Sequence, residues 1–183
     1  MLRLETPRLL LLSTPLHVIQ TRLLCSDFTA QVPSTPGDGT RNETETVRVH
    51  FPSEWPGDAL AIFPRLAKEM AIDPARGDWG GTMIERTTHI AVGQMSFMKP
   101  PDVRGTVELG YGVNPSYRNR GYATETARAL VAWAVARPDV RRITASCRED
   151  NDPSIRVLEK VGFQRTGRRM EQGDPLILWE WKT

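Results

Sequence analysis

One segment constrains this chain more than any other: VELGYGVNPSYRNRGYATETARALVAWAVA, Val107 to Ala136, which reads as a strand, a basic glycine-containing turn and a helix in immediate succession. In the strand, Val107, Leu109, Tyr111 and Val113 fall on one face by period two, while Glu108, Gly110 and Gly112 fall on the other. One face packs; the other is nearly bare. Asn114-Pro115 breaks the strand. Tyr117 to Ala123 then leads into a helix in which Ala123, Ala127, Leu130 and Ala134 recur at helical spacing. A helix that begins at a glycine turn exposes unpaired backbone N–H groups at the positive end of its dipole, which is the physical recipe for an anion site. Arg118 and Arg120 share the turn, so the segment predicts a bound phosphate.

The rest of the chain is sized to carry that segment. At 183 residues, 39% hydrophobic and 25% charged, it fits a single domain over residues 1–183 with a sizeable core. A net charge of +2 is too mild to make nucleic acid the main partner. Cys25 and Cys147 are the only cysteines, which gives neither a disulfide framework nor a metal-ligand cluster and suits a reduced, cytoplasmic protein. His17, His50 and His89 share no metal-like spacing, so no metal is expected. Leu9 to Leu12 is the longest leucine run, but Arg3, Glu5 and Arg8 interrupt what precedes it, so neither a signal peptide nor a membrane partner is expected.

Taken in order, Leu9–Leu12 closes at Ser13-Thr14-Pro15 as a buried strand, and a helix follows with Leu16, Ile19, Leu23 and Leu24 on one face. Ala30 to Pro56, with Pro33, Pro36, Pro52 and Pro56, reads as a long loop with little regular structure. Asp58 to Met70 suits another helix that Pro64 would kink or split. Two antiparallel strands follow within Trp79 to Met98, with a bulge at Gly93. After the opening segment comes a strand at Arg142 to Cys147, then a helix with Asp152 as cap and Pro153 at its first position. A last hairpin turns at Gly173-Asp174 and ends in LILWEW, where Trp179 and Trp181 share a face and read as core or as a homodimer contact. The sum is a mixed α/β domain.

Three nucleotide-type patterns compete at the opening segment. Gly110-Tyr111-Gly112 starts like a dinucleotide fingerprint, but Pro115 stands at the third glycine position and the glycines lie inside the strand. A G-x-x-x-x-G-K-[ST] loop is missing from the sequence. The third pattern fits: Arg118-x-x-Gly121-x-Ala123 resembles the pyrophosphate loop of the GNAT superfamily of N-acetyltransferases. Asn151-x-x-Ser154-x-x-x-Leu158-x-Lys160-x-Gly162-Phe163 resembles the second half of the same cofactor site, and ETPRLLLL with Glu108 to Tyr111 resembles the RimJ/RimL branch that acetylates ribosomal-protein N-termini. The resemblance implies an α/β fold of the α+β type, with a mixed, mostly antiparallel sheet of about seven strands flanked by about four helices and splayed between strands four and five.

It also implies roles. Acetyl-CoA is the co-substrate, its pyrophosphate cradled by the backbone of Asn119, Gly121, Tyr122 and Ala123, with charge from Arg118 and Arg120. Tyr111 and Val113 neighbour the thioester and Asn151 bonds the pantetheine arm, although Tyr111 and Val113 read equally as core, and Asn151 as a turn residue. An amine must lose a proton to attack and the departing thiolate must gain one. Glu108 on the bare face is the candidate base, with a cross-strand ion pair as the competing reading. Many relatives carry a tyrosine acid where this chain has Leu158; Ser154 is the replacement, with a local helix-start bond as its alternative, and Tyr117 and Tyr122 stand behind it. Neither cysteine has a nucleophile's setting, so direct attack in a ternary complex is expected. The acceptor is an amine on a small molecule or a protein N-terminus. A non-catalytic acyl-CoA-binding or regulatory module is the competing class.

Overall fold

A computed structural model describes residues 1–34 and 45–182. Strands β1 (Arg3–Glu5) and β2 (Leu9–Leu12) open the chain and helix α1 (Leu16–Leu24) follows. Strands β3 (Phe28–Pro33) and β4 (Thr46–Phe51) form a separate antiparallel hairpin, from Phe28 opposite Phe51 to Pro33 opposite Thr46. This corrects the reading of residues 30–56 as loop. Val32, Val49 and Phe51 are buried there, so the period-two pattern prevails over the proline content. The expected loop residues 35–44 lie outside the described residues. A 3-10 segment (Gly57–Ile62) runs into helix α2 (Phe63–Ile72), with Pro64 in the first turn of the α-helix, where its missing N–H costs nothing. Pro64 thus splits the expected helix.

After a second 3-10 segment (Pro74–Trp79) come β5 (Gly80–Glu85), β6 (Ala91–Phe97) and β7 (Thr106–Val113), an antiparallel meander. Pairing of β5 with β6 shifts register where Met83 faces Gly93 and Ile84 faces Ala91. Val92 is the extra residue, beside the expected bulge. Helix α3 (Tyr122–Val135), strand β8 (Arg142–Arg148), helix α4 (Asp152–Val161) and the hairpin β9 (Phe163–Glu171) to β10 (Asp174–Trp181) complete the order. That last hairpin turns on Gln172 and Gly173, both at positive φ (51° and 93°), one residue earlier than the sequence suggested.

Eight strands make one sheet in the order β1-β2-β5-β6-β7-β8-β10-β9. All neighbours are antiparallel except β7 and β8, which run parallel and pair only from Thr106 opposite Arg142 to Leu109 opposite Ala145. Beyond Leu109 the two strands part, and the sheet opens into a V. One core cluster joins Leu9, Leu11, Met83, Met95, Val107 and Leu109 to α3 and α4; a second joins Leu10, Leu12, Phe51, Trp55 and Ile84 to α1 and α2. Alternation along β2 sends its leucines to both clusters, which is why it reads as an unbroken apolar run. In α1 Leu16 and Ile19 of the expected stripe pack on the core, joined by buried Val18, whereas Leu23 and Leu24 at the end of the helix are exposed. Trp55, Trp79 and Trp179 are core, and the Trp181 indole donates to the Val161 carbonyl at 3.2 Å. Among the described residues no helix is long and apolar enough to cross a membrane.

Candidate active site

The site is built from two strand-to-helix junctions on either side of the V. At the first, β7 runs through Asn114, whose Nδ2 donates to the Ala91 carbonyl at 2.9 Å and fixes the end of the strand. A short turn at Pro115–Tyr117 follows, then Asn119 at φ 61° and Gly121 at φ 80°, both left-handed. Gly121 is the N-cap of α3 and lends no side chain to it. Among the described residues, the N–H groups of Asn119, Arg120, Gly121, Tyr122 and Ala123 meet no protein acceptor within hydrogen-bonding distance. Five successive free donors at a helix start form a cradle for a polyanion. Arg118 Nε donates to the Val113 carbonyl at 3.1 Å, and Arg120 Nη2 to the Ser116 carbonyl at 3.3 Å while its guanidinium lies over the Tyr117 ring. Both arginines therefore shape the loop while keeping charge and further N–H groups beside it.

At the second junction, α4 starts at Asp152, and the cap is Asn151 in place of the expected Asp152: Asn151 Oδ1 accepts from the Ser154 N–H at 3.1 Å. Tyr111 crosses from β7 to meet this helix. Its hydroxyl lies 2.8 Å from Ser154 Oγ and donates to the Ser154 carbonyl at 3.2 Å. Burial, only partly offset by the Ser154 hydrogen bond, pushes the phenol up to about 12. Sequence reasoning missed this pairing of two hydroxyls, because Tyr111 and Ser154 are 43 residues apart. Leu158 is buried beneath them, and Cys147 is buried with the Trp179 indole donating to its sulfur at 3.3 Å. Burial raises the Cys147 thiol, which keeps it an inert core group.

Glu108 is half-buried on the opposite face of β7 and accepts from Ser146 Oγ at 2.8 Å. Among the described residues it makes no ion pair, which removes the cross-strand reading. Register brings Ser146 there: Thr144 stands opposite Glu108 in the parallel ladder, and Ser146 is the next residue on that face. Further along the strand, Gly110, Tyr111 and Gly112 border a cavity of about 200 Å³ closed by Ala59, Ile62, Phe63, Leu66 and Met98, with Gln94 and Ser96 as its polar wall. A Cβ at Gly110 would come within 2.7 Å of Met98 Sδ, so glycine keeps this space open. Tyr122, a weaker acid candidate, is committed elsewhere: its hydroxyl donates to Glu85 and its ring is buried. Tyr117 is occupied as the platform under Arg120.

Residues 38–164 match the family described as the acetyltransferase (GNAT) domain. The chain belongs to the GNAT acetyltransferase family. It is 34% identical over 114 residues to YjdG of Bacillus subtilis, an uncharacterized N-acetyltransferase, a stretch covering 60% of this chain and 67% of that protein. It is 29% identical over 72 residues to the ribosomal-protein-serine acetyltransferase of Escherichia coli, covering 39% and 40%. The fold also matches that of RimL, the ribosomal L7/L12 α-N-protein acetyltransferase solved with coenzyme A, with a TM-score of 0.64, 15% identity and 98% and 97% coverage. As a GNAT N-acetyltransferase the chain takes acetyl-CoA as its acetyl donor, and the free donors ahead of α3 suit the charge of that molecule's diphosphate.

Proposed function

We propose that this chain, as one acetyltransferase domain over residues 1–183, acetylates a primary amine, on a protein N-terminus or a small molecule, by direct attack on acetyl-CoA. The observation that carries this reading is the division of labour across β7. Gly110 and Gly112 border the cavity and Glu108 shares their strand face by alternation, while the Tyr111 hydroxyl reaches across to Ser154 on α4. An amine entering beside Gly110 and Gly112 meets a carboxylate that can take its proton, directly or through water. On the far side of the strand a pair of hydroxyls can donate to the departing thiolate. A transfer without an enzyme-bound intermediate requires a base that reaches the amine and a donor that reaches the departing sulfur.

The remaining roles follow from position. Asn119, Gly121, Tyr122 and Ala123 hold the diphosphate through their N–H groups, and Arg118 and Arg120 add charge. Tyr111 and Val113 lie beyond the last β7–β8 pair, where β7 is paired by β6 on one edge only and, the Val113 carbonyl held by Arg118 apart, can bond an added extended arm along the other. Asn151 has its oxygen engaged in the cap, which leaves Nδ2 as the donor for a pantetheine carbonyl. Ser154 is the proton donor and Tyr111 supports it, since the hydroxyl bonded to Ser154 Oγ can pass it a proton or hold its rotor. The protein-N-terminus acceptor draws support from the ribosomal-protein relatives named above.

The test is thiol release from acetyl-CoA against a panel of protein N-terminal peptides, polyamines and aminoglycosides. An accepted amine with kcat lowered at least about a hundredfold in Glu108→Gln supports the reading. Coenzyme A binding without turnover on any amine would point instead to a binding module.

A further inference from the structure

The sequence motif Glu5-Thr6-Pro7-Arg8 has no part in the chemistry above, yet its arginine ends at the cofactor loop. Arg8 lies between β1 and β2, 117 residues from Glu125 in the first turn of α3. Its backbone N–H donates to Glu125 Oε1 at 3.0 Å, its Nε to Oε2 at 2.7 Å, and its Nη2 sits 2.6 Å from the same oxygen. The guanidinium also covers the Tyr122 ring at 4.7 Å, and Nη1 donates to the Arg120 carbonyl at 2.8 Å. One side chain thus grips the carbonyl just before Gly121, the ring just after it and the carboxylate one turn on.

The carbonyl contact has a consequence set by peptide geometry. In a planar trans peptide the C=O of Arg120 and the N–H of Gly121 point in opposite directions. A carbonyl held by Arg8 therefore fixes the direction of the Gly121 N–H, the donor at the N-cap of α3. Gly121 itself cannot resist rotation, because glycine at φ 80° has neighbouring conformations of similar energy. The ion pair acts on charge as well. Glu125 stands in the first turn, beside the free donors, where an uncompensated carboxylate would repel an incoming diphosphate; Arg8 neutralises it.

We infer that Arg8 is a positioning residue for the coenzyme A diphosphate, holding the Arg120–Gly121 peptide in its donor orientation and cancelling the Glu125 charge without touching the reacting atoms. This rests on the assignment of residues 118–123 to the diphosphate. The experiment compares the parent, Arg8→Ala and Arg8→Lys, using coenzyme A by calorimetry and pantetheine, which has no diphosphate, by ligand-observed NMR. Arg8→Ala should weaken coenzyme A about tenfold and leave pantetheine binding unchanged. Arg8→Lys keeps the charge but not the fork that spans carbonyl and carboxylate, so it should fall between the two. Adding Glu125→Gln to Arg8→Ala should recover part of the loss by removing the orphaned charge. Equal coenzyme A affinity in parent and Arg8→Ala overturns the inference. So does an equal loss for both ligands, which would mean a general structural role. A parent that binds pantetheine but gains nothing from the diphosphate would remove the loop assignment itself.

Discussion

The two strand-to-helix junctions begin alike and end up chemically opposite. Each leaves a strand bordering the V and starts a helix after a short polar turn. At α3 the cap is Gly121, which offers the first-turn N–H groups no side-chain acceptor, and among the described residues the neighbouring N–H groups stay open. At α4 the cap is Asn151, whose carboxamide oxygen takes the Ser154 N–H, and Pro153 brings no N–H, so among the described residues only the Asp152 N–H of that turn stays open. The two starts differ in the cap side chain, in Pro153, which brings no N–H to α4, and in backbone, since Asn119 and Gly121 are left-handed while Asn151 sits at φ −90°. A helix start is a latent anion site, and the residue at the cap decides whether it is left for a ligand or satisfied internally. With few open donors, the α4 start presents the paired hydroxyls of Ser154 and Tyr111 instead.

That contrast can be broken by substitution, beginning where the effect is largest. Ser154→Ala should lower kcat by about a hundredfold or more while leaving coenzyme A affinity at the parent value, whereas a loss of affinity with kcat kept would assign Ser154 to cofactor binding instead. Tyr111 gives a pH signature. Its folded pKa is about 12, above the ordinary tyrosine value of 10, because burial penalises the phenolate. The unfolded chain releases this proton first, so stability is intact below pH 10 and falls as pH rises through 12, by at most about 3 kcal/mol. The urea midpoint of the parent should fall relative to that of Tyr111→Phe as pH rises from 9 to 12 if this group carries the slope; parallel curves would contradict it.

Gly121→Ala places a Cβ at φ 80° and within 3.4 Å of Arg8 Nη2. The left-handed penalty of about 1–2 kcal/mol should appear as coenzyme A affinity weakened about tenfold, read by calorimetry, with kcat at saturation kept. The smallest effect is expected at Asn151. Asn151→Ala loses the cap, worth about 1 kcal/mol, and should lower Tm by about 2–4 °C in a thermal scan. Asn151→Asp keeps the cap and removes the amide donor, so coenzyme A binding that weakens in Asp while Tm holds would separate the two uses of this residue.

Much of this architecture is written locally. Strand β7 and helix α3 follow from periodicity in Val107–Ala136, and the loop between them from Arg118, Gly121 and Ala123. The β3–β4 hairpin was harder to read: Val47, Val49 and Phe51 alternate as a strand should, but proline-rich neighbours and exposed alternate residues give the stretch a loop's composition. In α1, hydrophobicity misled, because Leu23 and Leu24 match the helical stripe but stand beyond the reach of the core. The site divides the same way. Backbone donors are legible from a glycine turn, since they depend on local conformation alone. Tyr111 with Ser154, Ser146 with Glu108 and Arg8 with Glu125 depend on which strands and helices become neighbours, and no local pattern encodes that.

The most direct test is a backbone amide NMR titration with coenzyme A that follows both junctions at once. The account predicts large downfield shifts at Asn119, Gly121, Tyr122 and Ala123 as free donors find phosphate oxygens, and little change at the Ser154 amide, which Asn151 already holds. Silent amides at 119–123 with the dominant shift at Ser154 would contradict it.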